Sequence, residues 1–170
     1  MKLALLALFI GRFQPFHNAH LVDIKNILKE SDEIIIAIGS SQKKNTLENP
    51  FSYNERKQMI VKTLKKNKIK NYKIYPVPDF KENIEWVNYL KAKLPRFDIA
   101  YSGNDYVVKV LNEYRIKTKK IRLIKGINST RIRSLMINGR NWQALVQENV
   151  SSYIKKINGV DRIKKIYSKQ

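Results

Sequence analysis

Leu3-Ala4-Leu5-Leu6-Ala7-Leu8-Phe9-Ile10-Gly11-Arg12-Phe13-Gln14-Pro15-Phe16-His17-Asn18-Ala19-His20 decides the fold. An apolar run opens it, a glycine closes the run, and both histidines of the chain follow three residues apart. After Met1-Lys2 the run resembles the start of a signal peptide, but no small-x-small cleavage pattern follows. It is also too short to span a membrane. It reads instead as a buried parallel strand ending at Gly11, in a soluble cytoplasmic protein.

The same signature recurs along the chain. Residues 34–38 run into Gly39, residues 97–101 into Gly103 and residues 121–124 into Gly126; residues 72–77 form a further strand candidate. Helical patterns lie between them. Leu21, Ile24, Ile27 and Leu28 share one face. Ser52-Tyr53-Asn54-Glu55 is a capping box before a helix with Ile60 and Leu64 inward. Ile84, Val87, Leu90 and Leu94 follow Asn83 as N-cap, and Val107, Val108 and Leu111 mark a fourth segment. Strands alternating with helices predict an α/β fold: a Rossmann-like, doubly wound, parallel five-stranded sheet. After Gly126 only helices are expected, over residues 129–138, 142–146, 150–157 and 160–167. The organisation expected is a single domain over 1–170, with an α/β core at 1–126 and a small helical C-terminal part at 127–170.

Composition bounds the chemistry. Cysteine is absent, which excludes disulfides and thiolate catalysis. Two histidines leave a zinc site short of its usual ligands. Lys plus Arg is 34 against 14 Asp plus Glu, a formal net charge of +20. That invites nucleic acid as a partner. The surplus, however, is 25 Lys to 9 Arg, spread along the whole chain, beside 22 Ile and 16 Asn. Base reading leans on Arg, so most of this charge is read as a solvated surface in a chain of AT-rich coding.

Four segments carry chemistry. His17 and His20 lie at i and i+3 of a helix start, where free backbone N–H groups and the dipole favour an anion, with Arg12 beside them. A surface pair of histidines is the plain alternative. In Gly126-Ile127-Asn128-Ser129-Thr130-Arg131-Ile132-Arg133 the helix capped by Asn128 or Ser129 holds Arg131 and Arg133 in its first turn. There they oppose the dipole unless an anion binds, or simply point into water. Tyr101-Ser102-Gly103-Asn104 follows a strand with small residues and a capping Asn. After Pro76-Val77-Pro78-Asp79, Asn83 and Trp86 open a helix, with Trp86 offset from its apolar face.

Together these segments resemble the H-x-G-H nucleotidyltransferases, and within them the archaeal nicotinamide-nucleotide adenylyltransferases. Gly11-Arg12-Phe13-Gln14-Pro15-Phe16-His17-x-x-His20 and Ser129-Thr130-x-Ile132-Arg133 carry most of the likeness. Gly39-Ser40-x-Gln42, Glu48-Asn49-Pro50-Phe51, Trp86-Val87 and residues 157–163 extend it over nearly the whole chain. The resemblance implies transfer of AMP from ATP to nicotinamide mononucleotide, giving NAD and pyrophosphate, with Mg2+ or another divalent cation and no covalent intermediate. It also implies a homo-oligomer, a hexamer. His17, His20, Arg133 and Arg12 would be catalytic. ATP would meet Gly11, Arg12, Phe13, Gln14, His17, His20, Gly103, Asn104, Ile127, Ser129, Thr130 and Arg133. The mononucleotide would meet Ser40, Asp79, Asn83 and Trp86. No metal-ligating residue is implied. Two departures stand out: Ala19 replaces the motif's glycine, and residues 116–125 are short and basic. The alternatives are a sister adenylyl- or cytidylyltransferase acting on phosphopantetheine, FMN or glycerol phosphate, and a basic nucleic-acid-binding module with a vestigial ATP site.

Overall fold

The computed structural model describes residues 4–169, which form two compact units. The first comprises residues 4–12, 22–41 and 71–123, the second residues 13–21, 42–70 and 124–169.

The first unit holds a five-stranded parallel sheet: β1 (Leu6–Gly11), β2 (Glu33–Ile38), β3 (Tyr72–Pro76), β4 (Ile99–Ser102) and β5 (Thr118–Lys120), in the order β3-β2-β1-β4-β5. The central register sets Phe9 beside Ile36 and Tyr101. Alternation along β1 sends Leu8 and Ile10 into one core with Ile35, Ala37, Val77 and Ala100, joined by Leu90 and Leu94 of the α3 region and Leu111 of α4. Helix α3 spans Asn83–Lys93 and α4 spans Asp105–Glu113. On the other face Phe9, Ile34, Ile36 and Ile38 are buried. Helix α1 (Asn18–Glu30) ends on that face, where the Glu30 carboxylate accepts from the Tyr101 hydroxyl at 3.1 Å and from Lys119 Nζ at 2.6 Å.

Strand order reverses between β1 and β4, so the crevice at their carboxyl ends is the binding position this topology provides. The fold class therefore stands, with two corrections at its edges. The fifth strand is not residues 121–124 but Thr118–Lys120, formed by pairing with β4 rather than by apolar content. Of the expected run only Ile121 is buried, while Leu123 is 71% exposed. The N-cap position of α3 is Glu82 rather than Asn83, and Ile84 lies outside the buried face of Val87 and Leu90, 45% exposed.

The second unit is helical: α2 (Tyr53–Lys66), α5 (Ser129–Ile137), a 3-10 turn at Gln143–Leu145, α6 (Glu148–Lys156) and α7 (Gly159–Tyr167). The capping box forms as expected. Ser52 N–H donates to Glu55 Oε2 at 2.8 Å and Glu55 N–H donates to Ser52 Oγ at 3.3 Å. Arg162 of α7 forks onto the same Glu55 at 2.8 and 2.9 Å. Burial pushes Glu55 up, but the hydrogen bonds from Arg162 and Ser52 outweigh it and hold the carboxyl below its ordinary value. Asn158 takes a left-handed conformation (φ 52°) that separates α6 from α7. Among the described residues no helix is long and apolar enough to cross a membrane.

Candidate functional site

The loop after β1 is built around a strained residue. Phe13 is left-handed (φ 53°) and fully buried, a conformation a bulky side chain adopts only when its surroundings fix it. Gln14 supplies part of that fixing. Its amide donates to the Phe51 carbonyl at 2.8 Å and accepts from the Phe51 N–H at 3.0 Å. Both ends of the amide are thus committed to backbone, so the Gln14 side chain positions the loop.

The histidines that follow are a packed pair, not surface ornaments. Their rings stack at 3.5 Å between centroids and 14° between planes, and the edge of His20 meets Phe13 at 4.8 Å. His17 N–H donates to His20 Nδ1 at 3.2 Å, and His20 N–H donates to His17 Nδ1 at 3.4 Å. A ring nitrogen that accepts carries no proton, so each neutral imidazole carries its proton on Nε2 and presents that atom as a donor. Burial keeps the rings neutral. His17 is lowered to about 4, and His20 falls well below its ordinary value through burial and then through the neighbouring His17.

The distant arginine joins the same loop. Arg133 is 7% exposed, and its Nη1 donates to the Gln14 carbonyl at 2.9 Å. Its Nη2 donates to Thr130 Oγ1 at 3.4 Å, and Ser129 Oγ donates to the Pro15 carbonyl at 3.1 Å. Asn128, not Ser129, caps α5, accepting from Arg131 N–H at 2.8 Å. Arg133 is the fifth residue of α5, just past its first turn, and a guanidinium buried there and bonded to a carbonyl and a hydroxyl suits an anion. Arg131 is exposed and Ile127 half-buried. The second unit therefore gathers Phe13, Gln14, His17, His20, Ser129, Thr130 and Arg133 around one loop.

The first unit carries the other candidates on the carboxyl ends of its strands. Gly11 ends β1 and its carbonyl accepts from Gly39 N–H at 2.9 Å; Arg12 is exposed. Ser40, left-handed at φ 47°, donates through Oγ to Asp79 Oδ1 at 2.9 Å. A Cβ on Gly103 would come 3.0 Å from Leu123, which leaves little room there for a larger residue. Asn104 caps α4, accepting from Tyr106 N–H at 2.9 Å and Val107 N–H at 3.4 Å. Trp86 is half-buried against the sheet core. Asn83 begins α3, and its Oδ1 accepts from the Tyr106 hydroxyl at 3.0 Å. The Gln14–Phe51 clamp and the Tyr106–Asn83 bond escape the sequence reading. Each joins residues far apart in the chain, and no local pattern marks them.

Residues 8–157 match the profile of the cytidylyltransferase-like family. A nicotinamide-nucleotide adenylyltransferase of Methanococcus aeolicus is 45% identical over 96% of this chain and 95% of its own length. That of Methanococcus maripaludis is 43% identical over 96% of each chain, and that of Thermoplasma volcanium 40% identical over 94% and 91%. A solved structure of a bifunctional NMN adenylyltransferase/ADP ribose pyrophosphatase from Francisella tularensis, complexed with AMP and Mn ion, aligns with a TM-score of 0.77 at 26% identity. The alignment covers 96% of this chain and about half, 52%, of that longer one. The profile and the relatives together establish that the chain belongs to the cytidylyltransferase-like family, on its nicotinamide-nucleotide adenylyltransferase branch.

Proposed function

We propose that this chain is a nucleotidyltransferase that joins ATP and nicotinamide mononucleotide into NAD and pyrophosphate. The carrying observation is the stacked pair of neutral imidazoles, each accepting a backbone N–H at Nδ1 and so carrying its proton on Nε2. Arg133 is bonded to the same loop. Such an array suits an oligophosphate. An oxygen of the mononucleotide's phosphate attacks the α-phosphorus of ATP in line, and the bond from that phosphorus to the bridging oxygen breaks. Pyrophosphate leaves with the charge. The attacking phosphate is already ionised, so no general base is needed. Positioning and charge neutralisation supply the rate.

His17, His20, Ser129, Thr130 and Arg133 take the phosphates in this reading, with Arg12 as a further clamp. Gly11, Gly103, Asn104 and Ile127 belong to the adenosine; Phe13 and Gln14 hold the loop in shape. Ser40, Asp79, Asn83 and Trp86 take the mononucleotide. Among the described residues no group of three or more His, Asp or Glu could hold a metal ion. A divalent cation, Mg2+ in our reading, therefore enters on the phosphates of ATP, as this hard cation commonly does, and no step is routed through it. We take the chain to act as one nucleotidyltransferase domain, cytoplasmic, in a homo-oligomer of hexameric type.

The test is to supply ATP, Mg2+ and each phosphorylated acceptor in turn and follow pyrophosphate and dinucleotide. NAD from nicotinamide mononucleotide is the expected product; product only from phosphopantetheine, FMN or glycerol phosphate overturns the assignment. His20→Ala should lower kcat by at least about 100-fold with the acceptor KM little changed, because its bond strengthens as charge moves to the leaving group.

A further inference from the structure

Asn18 stands between the two histidines as the first residue of α1. The His17 carbonyl accepts from Leu21 N–H at 3.3 Å, so His17 occupies the cap position and His20 lies in the first turn. An α-helix turns about 100° per residue, which puts the Asn18 side chain about 200° round from that of His20. It leaves the turn roughly opposite the ring.

Both ends of the Asn18 amide are engaged there. Nδ2 donates to the Ala144 carbonyl at 3.2 Å, and Oδ1 accepts from Gln147 Nε2 at 2.7 Å. A carbonyl can only accept, so Ala144 fixes which way the amide faces. Oδ1 is then the atom turned to Gln147, which answers with its NH2. The other side of this clasp is firm. Ala144 lies in the 3-10 turn Gln143–Leu145, whose flanking Trp142 and Val146 are buried. Gln147 is the N-cap of α6, and its carbonyl accepts from Val150 N–H at 2.9 Å and Ser151 N–H at 3.0 Å. Arg133 and Ser129 grip the loop before α1, at Gln14 and Pro15. Asn18 grips the helical turn itself.

We propose that Asn18 and Gln147 are positioning residues for the adenylyl transfer. Their clasp sets the rotation of the first turn of α1, and through it the stack in which His17 and His20 both carry the proton on Nε2. With one end released, the turn can roll or fray. The reciprocal bonds to Nδ1, at 3.2 and 3.4 Å, are then the ones that loosen. A ring freed at Nδ1 exchanges between its two tautomers. The inference rests on the function proposed above, since ring placement affects the rate only where the rings meet a phosphate.

The experiment measures kcat and KM with ATP, Mg2+ and nicotinamide mononucleotide in the wild type, Asn18→Ala, Gln147→Ala and the double variant, each below its Tm. 15N spectra of the imidazole nitrogens accompany them. The chain has two histidines, so the rings are readily told apart. Gln147 makes no side-chain bond that caps α6, so Gln147→Ala spares the start of that helix. Each single variant should lower kcat about three- to thirtyfold with the acceptor KM unchanged, and the double should be no worse than the poorer single. In a His20→Ala background, Gln147→Ala should cost less than about twofold, because the ring it serves is gone. The spectra should show the proton on Nε2 of both rings in the wild type and mixed tautomers in the variants. A lowered Tm with kcat and ring spectra unchanged marks a purely structural bond and overturns the inference. Losses that multiply in the double variant overturn it too. A wild type that makes no NAD removes the reaction, and the ring spectra alone then decide whether the clasp sets the pair.

Discussion

Three ionisable side chains at the start of α1 and just before it, His17, His20 and Asp23, have pKa values moved by burial, and they act in opposite directions on stability. His17 is lowered to about 4 from its ordinary 6.5. Between those values the unfolded chain binds a proton that the folded chain does not, so stability rises with pH and is lost as pH falls from 6.5 toward 4. His20 adds to the same slope. Asp23 is raised by burial to about 7 from 3.8. Here the folded chain binds the extra proton, so stability falls as pH rises through that window. Melting curves from pH 4 to 8 separate the two. His17→Asn should flatten the rise below pH 6.5. Asp23→Asn should steepen it and add roughly 1–2 kcal/mol at pH 7.5, discounted because Asp23 keeps part of its surface in water. A profile unmoved by either variant contradicts the assignment. The histidine pair was legible in the sequence because spacing on a helix is a local property. What holds it was not. Gln14 reaches Phe51 across 37 residues, and Arg133 reaches Gln14 across 119.

At the scale of elements, legibility followed the same line. The capping box of α2, the apolar face of α1 and the break at Asn158 are local patterns, and each stands in the structure. The three-residue strand Thr-Lys-Lys has no apolar signature; only its parallel partner β4 makes it a strand. The start of α7 shows how tightly the helices of the second unit close. A Cβ on Gly159 would come 2.9 Å from both Phe51 Cε1 and Ile154 Cγ2, and 3.1 Å from the Ile154 carbonyl. Phe51 is fully buried and its backbone grips Gln14, so it cannot swing aside without pulling on the histidine loop. Gly159→Ala should therefore cost about 1–3 kcal/mol by overpacking. For a chain of this length that is a loss of roughly 2–10 °C in Tm, read by calorimetry. An unchanged Tm would mean that α7 is free to shift outward.

For the molecule as a whole, a formal charge of +20 on 170 residues is the dominant electrostatic fact. Two effects of salt then compete. Screening weakens the ion pairs Lys66–Glu148, Lys73–Glu33, Lys109–Glu113, Lys119–Glu30 and Lys120–Asp105. All five have at least one partner about half exposed or more, and such pairs contribute little each. Screening also relieves the mutual repulsion of twenty uncompensated cations, which acts on the compact state more than on the expanded one. The second effect involves more charges over longer range, and the Debye length shortens from about 30 Å at 0.01 M to about 8 Å at 0.15 M salt. Raising NaCl from 10 to 300 mM, with no polyvalent anion present, should therefore raise Tm by several degrees, roughly 3–8 °C. Tripolyphosphate, which the array of His17, His20 and Arg133 would bind, should give a comparable rise at far lower ionic strength through preferential binding to the folded chain. A Tm that falls with NaCl would show that the ion pairs outweigh the repulsion. A tripolyphosphate effect no larger than that of NaCl at equal ionic strength would show that the phosphate array does not form.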